Sequence, residues 1–227
     1  MSLILLPGLD GTGDLFGPIV GLDWGGVVPV ILPLPQSGPQ DYESLADALL
    51  TKLPEGQLVL LAESFSTPLA LLLANRLGNR VSALVLAAGF CSAPHAPGLG
   101  WLPLRPLFSV TPPAFFLRKF LTGEDTDADL LDTLTGALRR TPASVMAERL
   151  RVVLALREQD SPSTGTTPIL LLQASEDRII PWTAQSSLER HLPDATVEWI
   201  EGPHLLLQAR PTECHDAILR FLDTAGG

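Results

Sequence analysis

Short runs of apolar residues recur along the chain, separated by stretches whose apolar positions follow helical spacing. The runs predict buried strands at Leu3 to Leu6, Val27 to Leu32, Leu58 to Leu61, Val81 to Ala88, Ile169 to Gln173 and Val197 to Ile200. The runs are continuous rather than alternating, which is typical of strands that are covered on both faces. The pattern therefore predicts an α/β fold, with a mostly parallel sheet of about six strands between helices.

Two of the predicted helices begin at residues that favour helix caps. Asp41 is the expected N-cap of a helix over Tyr42 to Lys52, because its side chain can accept from backbone N–H groups of the first turn. Thr67 is the expected cap of a second helix, with Pro68 at the first helical position. Both helices fall between predicted strands, as a parallel sheet requires.

One segment interrupts this alternation. From Cys91 to about Thr166 no strand-like run occurs, and a proline-rich stretch leads into amphipathic patterns over Asp127 to Arg140 and Pro142 to Arg157. We therefore expect a core made of residues 1–90 and 167–227 and a helical cap insertion over residues 91–166.

The composition excludes several classes of protein. The 227 residues carry 15 basic and 25 acidic side chains, a net charge of −10, which argues against a nucleic-acid partner. The two cysteines, Cys91 and Cys214, lack metal-ligand spacing and fit a reducing compartment. Met1 to Leu6 has no positively charged region typical of a secretory signal, and no apolar run is long enough for membrane insertion. We expect a cytoplasmic protein.

A serine stands at a predicted sharp turn between strand and helix, in Ala62-Glu63-Ser64-Phe65-Ser66. The nucleophile elbow G-x-S-x-G has this placement, with small residues two before and two after the serine. Here those positions hold an alanine and a serine, so the pattern alone does not separate a nucleophile from an ordinary turn residue. Ser64 is the candidate nucleophile, and Ser66 is the alternative.

The chain offers four histidines as a general base for Ser64. His204 follows the last predicted strand and precedes the last helix, which places it at the carboxyl edge of the sheet, where chemistry in α/β folds collects. The other three have simpler expected roles. His95 is expected on a surface loop of the insertion, with a pocket rim as the alternative. His191 is expected at a solvated helix end, and His215 exposed on the last helix, away from its apolar face.

A carboxylate is needed to hold the base in the correct tautomer. Asp177 follows the strand Ile169 to Gln173 and is therefore expected at the same edge, whereas the segment after the preceding strand, Gly89-Phe90-Cys91-Ser92, offers no acid. Glu176 is the adjacent alternative, and an ordinary acidic turn paired with Arg178 is the simpler interpretation of both acids.

The loop Pro7-Gly8-Leu9-Asp10-Gly11-Thr12-Gly13 follows the first predicted strand. Its glycines allow backbone N–H groups to approach a reacting atom, and we predict the N–H groups of Leu9 and Phe65 as the oxyanion donors. A phosphate-binding loop is the alternative, but the phosphate-loop lysine is missing and the glycine spacing does not match G-x-G-x-x-G. Asp10 is expected to shape the loop rather than to react.

Together, the order Ser64, Asp177, His204, the loop after the first strand and the helical insertion resemble the α/β-hydrolase superfamily over essentially the whole chain. The loop and the elbow resemble esterase- and acyltransferase-like members in which proline replaces the usual histidine of the His-Gly loop. The resemblance implies a Ser-His-Asp triad that uses neither cofactor nor metal. It further implies an acyl-enzyme intermediate and a small-molecule ester or thioester substrate.

The residue pattern leaves the reaction and the substrate open. An acyltransferase, a lyase, a cofactor-free peroxidase or a catalytically silent binding protein can share this scaffold. Apolar residues of the insertion are candidates for a channel that binds the acyl or the alcohol part of a substrate, although an insertion must also bury a core of its own. These candidates are Trp101, Leu102, Leu104, Leu107, Phe108, Phe115 and Phe116.

Overall fold

Six parallel strands form one sheet in the computed structural model, which describes residues 1–95, 104–162 and 164–225. The strands are β1 (Ser2–Leu6), β2 (Pro29–Ile31), β3 (Leu58–Glu63), β4 (Val81–Ala87), β5 (Ile169–Ala174) and β6 (Thr196–Ile200). Their order across the sheet is β2-β1-β3-β4-β5-β6. The α/β fold class and the predicted number of strands are therefore confirmed, and the sheet is wholly parallel.

Burial separates the central strands from the edge strands. Every residue of β3 and β5 is buried, as the continuous apolar runs predict. The edge strand β2 is only three residues long, pairs with Leu3 to Leu5 of β1, and leaves Val28 outside the sheet and largely exposed. The predicted strand over Val27 to Leu32 was therefore too long, because an edge strand has a pairing partner on one side only.

Helices cover both faces of the sheet and fill the long connection between β4 and β5. They are α1 (Gly17–Val20), α2 (Tyr42–Leu50), α3 (Ser66–Leu77), α4 (Leu104–Leu107), α5 (Ala114–Leu117), α6 (Ala128–Arg140), α7 (Ala143–Ala155), α8 (Trp182–His191), α9 (Leu206–Ala209) and α10 (Pro211–Ala225). A π-helical turn over Arg118–Thr122 continues from α5.

Alternate residues of each strand enter different cores. One face packs against α2, α3 and α8, and includes Leu60 of β3 and Leu171 of β5. The opposite face packs against α1, α9 and α10, and includes Leu61 and Leu172 of the same two strands. The strands are therefore anchored on both faces, which holds their carboxyl ends in a fixed relative position.

The helix starts show one correct and one wrong prediction. Asp41 caps α2 as expected, because its Oδ1 accepts a hydrogen bond from the N–H of Ser44 at 2.9 Å. Thr67 does not cap α3, which begins one residue earlier at Ser66. Phe65 already has helical dihedral angles, so the sharp turn after β3 leaves no extended residue that could act as a side-chain cap.

The described part of the segment between β4 and β5 contains the helices α4 to α7, joined by turns and loops, and no strand. The two long amphipathic helices, α6 and α7, match the predicted ranges within two residues at each end. The segment also contacts the core near the end of β6, since the N–H of Leu205 donates to the carbonyl of Leu121 at 2.8 Å. Among the described residues, no helix has the length and apolar character needed to cross a membrane.

Candidate active site

Ser64 occupies a strained turn at the carboxyl end of β3. The strand ends at Glu63 and α3 begins at Ser66. Ser64 between them has a φ of 49°, a left-handed backbone conformation that residues other than glycine seldom adopt. Its N–H donates to the carbonyl of Ala87 on β4 at 2.9 Å, which fixes the turn against the neighbouring strand. Strain that is held in place in this way is typical of functional positions.

The small residues on either side of the turn have structural positions. Ala62 is completely buried within the sheet, and Ser66 is completely buried in the first turn of α3. Ser66 Oγ donates to the carbonyl of Pro7 at 2.5 Å and so joins α3 to the loop that follows β1. Of the two serines, only Ser64 borders the cavity described below.

His204 lies between Ser64 and Asp177. Its Nε2 is 2.9 Å from Ser64 Oγ, and its Nδ1 is 2.8 Å from Asp177 Oδ2. A carboxylate can only accept, so Nδ1–H donates to Asp177 and the lone pair of Nε2 faces the serine hydroxyl. The structure therefore brings together all three side chains that the sequence singles out, in the order needed for proton transfer from Ser64.

Two backbone groups hold Asp177 in place. The N–H groups of Ile179 and Ile180 both donate to Asp177 Oδ1 at 2.8 Å, which leaves Oδ2 for His204. The neighbouring acid Glu176 is exposed, and its own N–H donates to the carbonyl of Gly202. Of these two adjacent acids, Asp177 is the one that contacts the imidazole.

The surroundings of His204 act on its pKa in opposite directions. Burial of the ring disfavours the imidazolium, whereas the charge and hydrogen bond of Asp177 and the charge of Glu63 favour it. The net result is that the pKa of His204 is raised above its usual value. A raised pKa makes the ring a stronger base, which suits a group that removes a hydroxyl proton.

The other histidines lie elsewhere, and one prediction about them was wrong. His215 is buried rather than exposed, because the segment before β2 folds across it. Its Nε2–H donates to the carbonyl of Asp23 at 2.8 Å, and its ring meets Trp24 edge to face. His191 is the last residue of α8, as expected, and His95 is exposed at the border of the cavity.

The loop after β1 places its backbone beside Ser64. Gly8, Leu9 and Asp10 border the same cavity as Ser64 and Phe65. Among the described residues, the N–H groups of Leu9 and Phe65 have no hydrogen-bond partner. Asp10 shapes the loop, since its Oδ1 accepts from the N–H of Thr12 at 2.8 Å and from the hydroxyl of the same residue at 2.5 Å.

A cavity of about 690 Å³ opens over Ser64 and His204, a volume suited to a small organic ligand. Its walls are mostly apolar and come largely from the segment between β4 and β5, including Leu107, Phe108 and Phe116. The remaining channel candidates are placed differently. Leu104 packs against α7, Phe115 is exposed, and Trp101 and Leu102 lie outside the described residues.

A buried carboxyl group next to Ser64 was missed by the sequence reasoning. Glu63 is the last residue of β3, and its Oε2 accepts from Gln208 Nε2 at 3.3 Å. Burial raises the pKa of Glu63 to about 7, although the positive charge of His204 and the bond from Gln208 act against this shift. The signal in the sequence was a lone acid at the end of an otherwise apolar strand.

The sequence places the protein in a family that fits this geometry. A model of the alpha/beta hydrolase family matches residues 3–217, so the chain belongs to that family. No curated protein matches the sequence significantly.

Solved structures with the same fold share little sequence with this chain. A thermophilic esterase from Thermogutta terrifontis aligns with a TM-score of 0.82 at 17% identity, covering 99% of this chain and 90% of the esterase. A hydrolase from Oleispira antarctica aligns with a TM-score of 0.80 at 14% identity, covering 98% and 90%. A bromoperoxidase from Bacillus anthracis aligns with a TM-score of 0.75 at 15% identity, covering 98% and 91%.

Proposed function

We propose that the protein is a serine hydrolase that cleaves an ester or thioester of a small or medium apolar acyl group. The observation that carries this proposal is the continuous contact from Asp177 through His204 to the hydroxyl of Ser64, with both heavy-atom distances below 3.0 Å. Membership of the alpha/beta hydrolase family supports it. In this proposal Ser64 is the nucleophile, His204 the general acid and base, and Asp177 the residue that holds the histidine tautomer.

The proposed reaction has two halves. His204 Nε2 takes the proton of Ser64 as Oγ bonds to the acyl carbon, and the imidazolium then gives that proton to the leaving group as its bond to the acyl carbon breaks. Water attacks the resulting acyl-enzyme with His204 again as the base, and the acid and free Ser64 are released. The N–H groups of Leu9 and Phe65 are proposed to bind the carbonyl oxygen when it carries negative charge.

The segment over residues 91–166 is proposed to act as a cap that supplies the acyl site. Its apolar side chains form most of the wall above Ser64, and they offer few hydrogen-bonding groups to a polar substrate. We also propose that the protein acts in the cytoplasm, where the buried thiols of Cys91 and Cys214 would remain reduced.

An acyl-length series tests the proposed substrate class. We expect kcat/KM for p-nitrophenyl esters to rise from acetate through butyrate to octanoate, because each methylene that enters the cavity contributes up to about 0.8 kcal/mol, or roughly fourfold in rate. The measurement is initial release of p-nitrophenol below KM. Equal kcat/KM for all three esters, or the highest value for acetate, would contradict an apolar acyl site.

A cavity-filling variant makes this series sharper. Leu150 of α7 borders the cavity, whereas Arg151 on the same helix is exposed. We expect Leu150→Trp to suppress turnover of octanoate more than that of acetate, because the larger ring occupies space needed by the longer chain. Arg151→Trp is the matched control and is expected to leave the acyl preference unchanged.

Removing the charge of Glu63 is expected to move the pH dependence of turnover. Above its own pKa of about 7 the Glu63 carboxyl is ionised and raises the pKa of His204. The base must be neutral to act, so kcat/KM increases with pH through the pKa of His204. Glu63→Gln lowers the pKa of His204, and the acid limb of the kcat/KM profile therefore moves to lower pH. An exposed carboxylate, Glu55, provides the control substitution Glu55→Gln. A profile that stays in place, or moves to higher pH, would refute the electrostatic role of Glu63.

A further inference from the structure

Arg149 of α7 is the largest completely buried side chain among the described residues, and the proposed reaction does not use it. Burial lowers the pKa of Arg149 to about 10, an effect that the negative charge of Asp10 partly offsets. The guanidinium is therefore charged at neutral pH. No acidic side chain among the described residues lies within ion-pair distance of it, so it is held by neutral groups inside the protein.

Within the described parts of the chain, the side-chain hydrogen bonds of Arg149 all run to the segment between β1 and α2. Nη1 donates to the carbonyl of Leu9 at 2.8 Å, Nη2 to the carbonyl of Pro35 at 2.8 Å, and Nε to Gln40 Oε1 at 2.9 Å. A planar guanidinium directs these bonds at fixed angles, so it holds three parts of that segment at once.

The same side chain contacts both proposed oxyanion residues. Arg149 Nη1 donates to the carbonyl of Leu9. The guanidinium carbon of Arg149 lies 5.8 Å from the centre of the Phe65 ring, within the range of a cation–π interaction. The loop after β1 has room for the guanidinium because Gly11 carries no side chain. A Cβ on Gly11, whose φ is +71°, would lie only 2.3 Å from Arg149 Nη1.

A second residue from the β4–β5 segment restrains the next peptide of the loop. Thr141, between α6 and α7, shares the proton of its hydroxyl between the carbonyl of Asp10 at 3.0 Å and that of Ala137 at 3.1 Å. The carbonyls of Leu9 and Asp10 are thus both bound by side chains from one helical segment. The same helix that carries Arg149 also carries Met146 and Leu150, which border the cavity.

We propose that Arg149 is a positioning residue that holds the N–H groups of Leu9 and Phe65 in the geometry of an oxyanion hole. Donors act on the transition state only when they are already aimed at the place where charge develops, so a shift of this loop lowers the rate of the chemical step. This inference rests on the proposed hydrolase function. Through Arg149, α7 also links the apolar cavity wall to the oxyanion donors, because the same helix carries the wall residues Met146 and Leu150.

The test compares Arg149→Met and Arg149→Lys with the wild type, on acetate and octanoate esters. Loss of a single oxyanion donor typically lowers kcat by about 10²- to 10³-fold, and we expect a loss of this size for Arg149→Met with KM little changed. The factor should be the same for both esters. Arg149→Lys keeps the positive charge but replaces the planar guanidinium by an ammonium group. We expect its kcat to lie between that of Arg149→Met and that of the wild type.

Gln40→Leu is the matched control for a purely structural effect. It removes the acceptor of Arg149 Nε but leaves the bonds to Leu9 and Pro35. We expect this variant to unfold at a lower temperature while the folded protein keeps most of its kcat. If Arg149→Met does not fold, Arg149→Lys serves as the test, with a lower kcat at unchanged KM as the expected result.

Three results would overturn the positioning role. One is unchanged kcat in folded Arg149→Met, and another is a loss confined to KM. The third is a loss that grows with acyl length, which would assign Arg149 to the acyl site. A wild-type protein without ester turnover would instead reject the hydrolase proposal. In that case amide hydrogen exchange of the peptide containing residues 7–13 tests whether Arg149 restrains the loop after β1. We expect faster exchange in Arg149→Met than in the wild type, and equal exchange in the two proteins would contradict the restraint.

Discussion

Loss of at least about 10⁴-fold in kcat is the result we expect for Ser64→Ala, measured with a p-nitrophenyl ester at saturating concentration. Without Oγ no acyl-enzyme forms, and His204 has no hydroxyl proton to remove. Alanine keeps the Cβ of serine, so the turn retains its backbone conformation and the variant is expected to fold normally. Equal thermal unfolding of the two proteins, followed by circular dichroism, would confirm that the lost activity has a chemical cause.

Ser66→Ala is the matched control two residues away. Ser66 Oγ is bound to the carbonyl of Pro7 and does not border the cavity. Its loss leaves a buried carbonyl unpaired and is expected to lower the free energy of unfolding by about 1–3 kcal/mol. Most of the turnover should remain. The reverse outcome, an active Ser64→Ala and an inactive Ser66→Ala, would mean that the other serine is the nucleophile.

The second large effect is expected for Asp177→Asn, which should lower kcat by about 10⁴-fold. The two backbone N–H groups of Ile179 and Ile180 would retain the amide oxygen of the new side chain, and its NH₂ would then face His204 Nδ1. An NH₂ group donates, so Nδ1 would have to accept and the ring proton would move to Nε2. In that tautomer His204 has no lone pair for the proton of Ser64.

Glu176→Gln removes the adjacent acid and provides the control. Glu176 is exposed, so little change in kcat or in stability is expected. Both variants are measured across the pH range used for Glu63→Gln. Similar losses of kcat in Asp177→Asn and Glu176→Gln would show that kcat depends on the negative charge of this loop rather than on the tautomer of His204.

The pattern of apolar residues was sufficient to predict the sheet and the edge at which the candidate residues meet. Continuous runs required strands buried on both faces, and parallel strands place all their carboxyl ends together. Ser64, Asp177 and His204 each follow such a run, so their proximity followed from topology without any measured distance. The edge strand β2 was less predictable, because its extent depends on pairing that the local sequence does not encode.

The errors arose where distant segments decide the environment of a residue. His215 lies off the apolar face of α10, which predicted exposure, but Asp23 and Trp24 cover it. Threonine is a residue type that favours helix caps, but because of the turn at Ser64 α3 already begins at Ser66, one residue before Thr67. In both cases a local rule was overridden by contacts made elsewhere in the fold.

Arg149 was overlooked because a charged residue in an amphipathic helix is ordinarily assigned to solvent. A signal was nevertheless present. Arg149 follows Met146 by three residues and precedes Val153 by four, so it falls on the apolar face of α7. A basic residue on such a face indicates a buried partner, although the sequence could not show that the partners are backbone carbonyls of Leu9 and Pro35.

The central claim, that Ser64 is an activated nucleophile, is tested most directly by covalent labelling of the folded protein. The protein is incubated with a fluorophosphonate, digested, and analysed by mass spectrometry for modified peptides. We predict a single adduct on Ser64, absent from Ser64→Ala, retained in Ser66→Ala and slowed in Asp177→Asn. A folded wild-type protein that acquires no adduct, or an adduct on Ser66 instead, would contradict the proposal.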